Sequence, residues 1–379
     1  MKIFHTWMIY RLIRKGDSMG LPVINITFKR LANDAEQKSQ KGIVGLIIKD
    51  DTDKTFTTKE YKNLDDLSTD EKLYTASNLQ YIKDCLKGSP GKVIVIRINA
   101  TDGNIQDAFT IIKSMKINWL GCAEGAQADQ DAVCTFVKDQ EALKKTYKAV
   151  TFKPTTPPDC KQIVVLGNEK VTFKDNARGQ VTGEKYVSRL LGILAGLPLS
   201  MSSTYYVLDD LATIVEPTNI NTSIDSGNLI IINDDGVIRI GRGVTSLTTI
   251  TDDDTEDMKK IAVVEAINIM QEDITTTFKN NYVGKYKNSP DNQVIFISGI
   301  NDYYKTLAQN DILDADYTNT CDIDIDAQRQ AWIKAGNSEA ATWKDAEVRK
   351  NTFKSNVFIK ANVKVLDAME DMDFTTILE

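Results

Sequence analysis

The sequence predicts an α/β layered fold over its first two thirds and an α+β protein overall, on three observations. Continuous apolar runs at residues 43–48 (IVGLII) and 92–98 (KVIVIRI) have the pattern of strands covered on both faces. Segments with apolar residues at helical spacing separate such runs, at 76–86, 105–115 and 129–146, so strand and helix take turns as in a parallel sheet with helices on both sides. The end of the chain is different: residues 357–365 alternate strictly, with Val357, Ile359, Val363 and Val365 apolar and Lys360, Asn362 and Lys364 polar, which is the period of a half-buried strand.

A chain of 379 residues is long enough for two or three domains, and 42% hydrophobic with 26% charged residues is ordinary globular composition. Fifty-three acidic against 46 basic residues give a net charge of −7. That balance argues against a general nucleic-acid or anionic-membrane surface. Five cysteines, at 85, 122, 134, 160 and 321, are widely spaced without a CxxC pair, so buried reduced thiols are expected rather than zinc or a disulfide framework.

The single histidine, His5, lies in an unusual opening. Residues 1–18 carry Lys2, Arg11, Arg14 and Lys15 against Asp17, and His5, Thr6 and Arg11 interrupt the apolar stretch that a signal peptide needs. Lys15-Gly16-Asp17 can be encoded by a purine-rich ribosome-binding sequence just ahead of Met19. Met19 is therefore the expected start, the alternative being a genuine amphipathic extension. Starting there removes the histidine and takes the formal charge from −7 to −10.

In chain order, residues 21–28 read as a strand with Ile24, Ile26 and Phe28 on one face and Pro22 at its start, a position that suits an edge or an arm. After the alternating elements, short strands at 148–152 and 162–166 precede a helix at 183–195 capped by Thr182. Asp235-Gly236 between apolar runs marks a hairpin over 228–240. An acidic run, residues 252–257, is expected at the start of a long helix, 255–278, where it would complement the helix dipole. A strand at 293–297, a helix near 303–310, a helix at 327–335 and the alternating strand complete the reading, and the chain closes on a β-prone tail that includes Phe374, Ile377 and Leu378.

Candidate chemistry is sparse. Asp322-Ile323-Asp324-Ile325-Asp326 opens like a calcium loop, but Ala327 replaces the glycine and Ile333 the closing glutamate. Gly179 to Lys185 misses the P-loop spacing, and Gly241-Arg242-Gly243 lacks the third glycine of a dinucleotide fingerprint, so a bend with salt-bridging Arg239 and Arg242 is expected. No GxSxG occurs, and beyond Met19 no histidine is available as base or ligand, which excludes Ser–His and Cys–His hydrolases for that part of the chain. No catalytic residue, metal site or cofactor is predicted.

Five stretches taken together resemble the tail sheath proteins of contractile phages, in particular the short sheaths of PBSX-like prophages and R-type bacteriocins. They are residues 19–28, residues 241–249 (GRGVTSLTT), the helix containing Lys259-Lys260-Ile261 and Gln271-Glu272-Asp273-Ile274, the loop at 282–288 and the closing Leu366-Asp367-Ala368-Met369-Glu370-Asp371. The resemblance implies an N-terminal arm at 19–35, an outer α/β domain at 36–250 that is subtilisin-like without its triad, an inner domain at 251–372 and a C-terminal arm at 373–379. It implies hexameric rings stacked around a tail tube, with baseplate and tail terminator proteins at the ends and no membrane-spanning segment. The implied linking residues are Val23, Ile24, Ile26, Phe28, Phe374, Ile377 and Leu378, exchanged onto an acceptor strand bearing Val357, Ile359, Val363 and Val365. Glu265, Asn268 and Glu272 on the long helix are the expected tube-facing residues. The competing class is an α/β enzyme or nucleotide-binding protein without histidine chemistry, which only the alternating elements support. The intact mass of natively expressed protein tests the start assignment: a mass counted from Met19 is expected, and one that includes Met1 refutes it.

Overall fold

The structure, a computed structural model, describes residues 41–377. Strands β1 (Ile43–Lys49), β2 (Thr58–Tyr61), β3 (Lys92–Ile98), β4 (Trp119–Cys122), β5 (Lys148–Phe152) and β6 (Ile163–Leu166) belong to one seven-stranded sheet. With β10 (Asn228–Leu229) its order is β10-β6-β5-β4-β1-β3-β2. All neighbours are parallel except β2, which runs antiparallel to β3 at the edge. Central β1 is hidden on both faces, as its unbroken apolar sequence requires.

Helices α2 (Ala76–Lys87) and α5 (Val187–Gly196) cover one face, and α3 (Ile105–Ile112) and α4 (Gln127–Ala142) the other; α1 (Leu64–Ser68) is a short surface turn. Leu46 and Ile48 point into the first layer and Ile47 into the second. Thr75 and Asn104 cap α2 and α3 by accepting from the amides of Asn78 and Gln106. Thr182 makes no such bond: residues Gly183–Tyr186 form a 3-10 turn before α5, and the Thr182 hydroxyl instead donates to Glu184.

The α2–α5 crossing sets how closely the first layer can pack. A Cβ on Gly192 would lie 2.0 Å from the carbonyl oxygen of Cys85, and one on Gly196 1.9 Å from that of Gly88. Two helix backbones are thus in direct contact, and no side chain fits between them.

A three-stranded antiparallel sheet, β8 (Gln180–Thr182), β7 (Lys170–Phe173) and β9 (Leu211–Ile214), flanks the first layer. The hairpin β11 (Ile231–Asp234) and β12 (Val237–Ile240) turns at Asp235 and Gly236, both at positive φ. Helix α6 (Ile220–Asp225) leads into β10.

The second part of the chain has its own core, built between α7 (Ile261–Thr277) and α8 (Pro290–Gln309). Beyond them lie β13 (Thr320–Ile323), α9 (Ile325–Lys334), α10 (Asp345–Lys350) and β14 (Ile359–Asn362), with β13 and β14 an antiparallel pair. Two expectations fail here. Residues 293–297, predicted as a strand, lie inside α8; Ser289 caps that helix and Pro290 occupies its first turn, while Phe296, Ile300, Tyr303, Tyr304 and Leu307 face inward at helical spacing. A four-residue apolar run, Val294 to Ile297, carries too little periodicity to separate strand from helix, while Ser289 as cap and Pro290 in the first turn are the chemistry of a helix start. The acidic run does not begin the long helix: it leads into a 3-10 turn, Glu256–Lys259, and the first turn of α7 contains no acid.

Substituting Gly192 by valine is expected to destabilise the protein by about 2 kcal/mol or more, because backbone would have to move to admit the side chain. Thermal unfolding followed by circular dichroism checks this, and an unchanged midpoint would contradict the packing described.

Candidate functional site

In a parallel α/β sheet, ligands are bound outside the carboxyl ends of the strands where the strand order reverses, here between β1 and β4. The polar groups at that point are occupied with one another. Asp50, fully buried after β1, accepts from Asn78 Nδ2 (2.8 Å) and the amides of Thr52 (2.8 Å) and Thr75 (2.9 Å). Burial alone would raise its pKa, but these hydrogen bonds outweigh burial and hold it below the ordinary carboxylate value. Lys49 Nζ donates to Asp129 at 2.6 Å beside it. The arrangement braces the sheet.

All five cysteines are buried and unpaired. Burial pushes the thiols upward, to about 12 for Cys122 and about 11 for Cys134 and Cys321. The calcium-like run is committed elsewhere: Asp322 holds Arg349 through two bonds of 2.5 Å, and Asp324 caps α9 by accepting from Ala327 N at 2.9 Å. Among the described residues no group of three or more His, Cys, Asp or Glu is placed to hold a metal ion, and no helix is long and apolar enough to cross a membrane.

Helix α7 lies across the amino ends of the central strands, and Glu265, Asn268 and Glu272 are on the face that meets them. Glu265 accepts from Trp119 Nε1 at 2.5 Å and pairs with the buried Lys148 Nζ at 3.0 Å. Asn268 and Gln162 exchange two amide hydrogen bonds, 2.7 and 2.9 Å. Glu272 accepts from Thr146 Oγ1 at 2.5 Å and from Asn118 Nδ2 at 3.2 Å. These three side chains therefore face this chain's own sheet, which corrects the expectation that they point at a tube. Their three- and four-residue spacing on the sequence puts them on one helix face but does not say which body that face meets.

The chain's end carries the other constellation. After β14, Val365 bridges to Leu313, and Leu366 N donates to Ile312 O at 3.0 Å. The chain then crosses back to the large domain. The Glu370 side chain is 4% exposed. Its Oε1 accepts from Ser202 Oγ at 2.9 Å and Thr204 Oγ1 at 2.7 Å; its Oε2 faces Lys260 Nζ at 3.5 Å and Arg242 Nε at 3.8 Å. Arg242 also binds Asp371 at 2.5 Å, and Lys260 binds Asp367. Burial disfavours the Lys260 charge, but Asp367 and Glu370 outweigh it and raise its pKa. The Gly241-Arg242-Gly243 bend serves the same clasp, since Gly243 N donates to Thr204 Oγ1 at 2.9 Å. Three of the stretches singled out in the sequence, around 241–249, 259–261 and 366–371, thus converge on one carboxylate. Ser202 and Thr204 had no sequence signal, because they lie more than 160 positions from their partner.

Beyond the clasp, residues 372–377 join no helix or strand among the described residues. Met372, Phe374 and Ile377 are 80–85% exposed. Val357, Ile359, Val363 and Val365 are half-buried, and only residues 359–362 of the predicted strand pair with β13. Before it a turn closes with Phe353 bridging to Asn356, and after it the chain leaves β13, with Lys364 N bonded to Asn319 Oδ1 and Val365 bridging to Leu313. Leu378 and the N-terminal Val23, Ile24, Ile26 and Phe28 lie outside the described residues.

An internally braced sheet joined to a second body, and a clasped tail that ends in exposed apolar residues, define a structural assembly subunit. Residues 253–379 match the family model for the phage tail sheath C-terminal domain. The tail sheath protein of Clostridium phage phiCD119 is 30% identical over 364 residues, covering 93% of this chain and 98% of that one. The chain belongs to the tail sheath protein family. Its fold is similar to the sheath tail protein of Listeria innocua (TM-score 0.67, 12% identity, 92% of this chain and 100% of that one). It is also similar to the helical sheath of the anti-feeding prophage in its contracted state (TM-score 0.66, 13% identity, 89% and 94%).

Replacing Glu370 with alanine removes the acceptor of two hydroxyls and leaves Lys260 and Arg242 each with one carboxylate instead of two. Amide exchange at residues 366–371 is expected to accelerate several-fold while the sheet core keeps its protection; unchanged exchange there would refute the clasp.

Proposed function

We propose that copies of this chain polymerise as stacked six-membered rings around a tail tube, and that the resulting sheath contracts to drive the tube through a cell envelope. In this reading residues 36–250 form the outer body and residues 251–372 the inner one, with baseplate and terminator proteins bounding the cylinder. The chain acts through repacked subunit surfaces and is not an enzyme. The N-terminal arm, with Val23, Ile24, Ile26 and Phe28, and the C-terminal arm, with Phe374, Ile377 and Leu378, cross to neighbouring subunits.

The observation that carries the reading is the clasped tail. Glu370 anchors the chain to its own subunit, and immediately afterwards Phe374 and Ile377 stand in solvent among the described residues. Burying each on a neighbour is worth about 1.5–3 kcal/mol. Among the described residues β14 has no strand along its outer edge, whereas at the β13 edge the Asn301 side chain already takes the Cys321 N–H and C=O; a strand added along β14 would make main-chain hydrogen bonds. Such bonds tolerate rotation of one body against another, so subunits could stay linked while the lattice shortens and twists.

Removing residues 373–379 is expected to leave a folded monomer that no longer polymerises, seen as the loss of tubes or rings by electron microscopy with the melting temperature unchanged. Tubes of normal appearance from the truncated protein would count against the arm.

A further inference from the structure

A cleft of about 610 Å³ opens where the loop after α4 and the end of α3 approach α7. It is lined by five lysines, Lys113, Lys116, Lys144, Lys145 and Lys279, in a chain whose net charge is −7. Only Lys116 has a carboxylate within ion-pair distance, Glu272 at 3.8 Å; the other four have none among the described residues. Leu143, 67% exposed, lies on the same wall.

The acidic run is its counterpart in charge. Of the acids at 252–257, Lys161 binds Asp254 and Lys259 binds Glu256. Asp252, Asp253 and Asp257 are exposed without a cationic partner among the described residues, and none lies in α7: Asp252 and Asp253 precede the 3-10 turn and Asp257 sits within it. Ile250, 43% exposed, stands beside them. Each patch therefore combines unneutralised charge of one sign with one exposed aliphatic side chain, an apolar contact with a charged surround. No ion pair joins the two patches within the chain.

We infer that the lysine cleft is a docking site for the acidic loop, residues 250–257, of a second copy of this chain. Two complementary patches at different places on one subunit make a heterologous contact, which propagates into a ring or a helix and does not stop at a dimer. The inference rests on the proposal that copies polymerise, and it adds a joint separate from the terminal arms.

The test uses full-length protein, measuring the critical concentration for polymer by sedimentation at low and high salt. Lys145→Glu with Lys279→Glu, on opposite walls of the cleft, is expected to raise it about tenfold or more, as is Asp252→Lys with Asp253→Lys. Combining all four changes is expected to restore assembly. Circular dichroism and melting establish that each variant is folded; if a reversal pair fails that check, Lys145→Gln with Lys279→Gln replaces it and should give a smaller rise in the same direction. Reversal pairs that polymerise like the wild type, or a quadruple variant no better than either pair, would overturn the proposal. Binding of inorganic phosphate in the cleft with assembly unchanged in the lysine variants would make it a small-anion site and also overturn it. Wild-type protein that forms no polymer would instead refute the sheath reading itself.

Discussion

The polar seam between α7 and the amino ends of β4 to β6 is the contact on which the rest of the structure depends. Lys148 is buried at the start of β5, where a lone ammonium would be costly, and Glu265 offsets that cost while also accepting a hydrogen bond from the Trp119 indole N–H. The Gln162–Asn268 pair satisfies two further buried amides. Each group is satisfied only while the two bodies stay in one register, because a hydrogen-bonded polar seam has directionality that an oily one lacks. The seam thereby fixes where α8, the β13–β14 pair and the tail stand relative to the sheet.

A subunit of this kind must be rigid within and adjustable at its margins. Rigidity comes from the layers: β1 is covered on both faces, and the glycines of α2 and α5 bring those helices to backbone contact. The margins are different in character. The tail leaves the clasp at Glu370 and extends into solvent, and the lysine cleft and the acidic run hold charge that the chain does not neutralise. In an isolated subunit these are open valences, and they are the surfaces proposed above to meet neighbours.

The distribution of polar groups also explains why an α/β sheet need not imply an enzyme here. The crevice at the reversal of strand order, where such folds place ligands, contains Asp50, Asn78, Lys49 and Asp129 bonded to one another. Asp50 is stabilised as an anion by donors that also tie β1 to α2. The same residues that would draw notice in a catalytic search are the ones that brace the sheet.

The sequence by itself determined the alternating layers, the Asp235-Gly236 hairpin, the buried thiols and the likeness to the sheath family, because these depend on local periodicity, turn chemistry and residue type. It misjudged residues 293–297, where a short apolar run suits either period, and overextended the strand at 357–365, of which only 359–362 pair with β13 while Val365 bridges to Leu313. Only the tertiary structure decided that Glu265, Asn268 and Glu272 face the chain's own sheet, and that Arg242, Lys260, Ser202 and Thr204 close on Glu370. Both are contacts between residues more than 100 positions apart, and nothing local in either partner specifies the other. A helix face can be read from spacing, but what it meets depends on how the whole chain comes together.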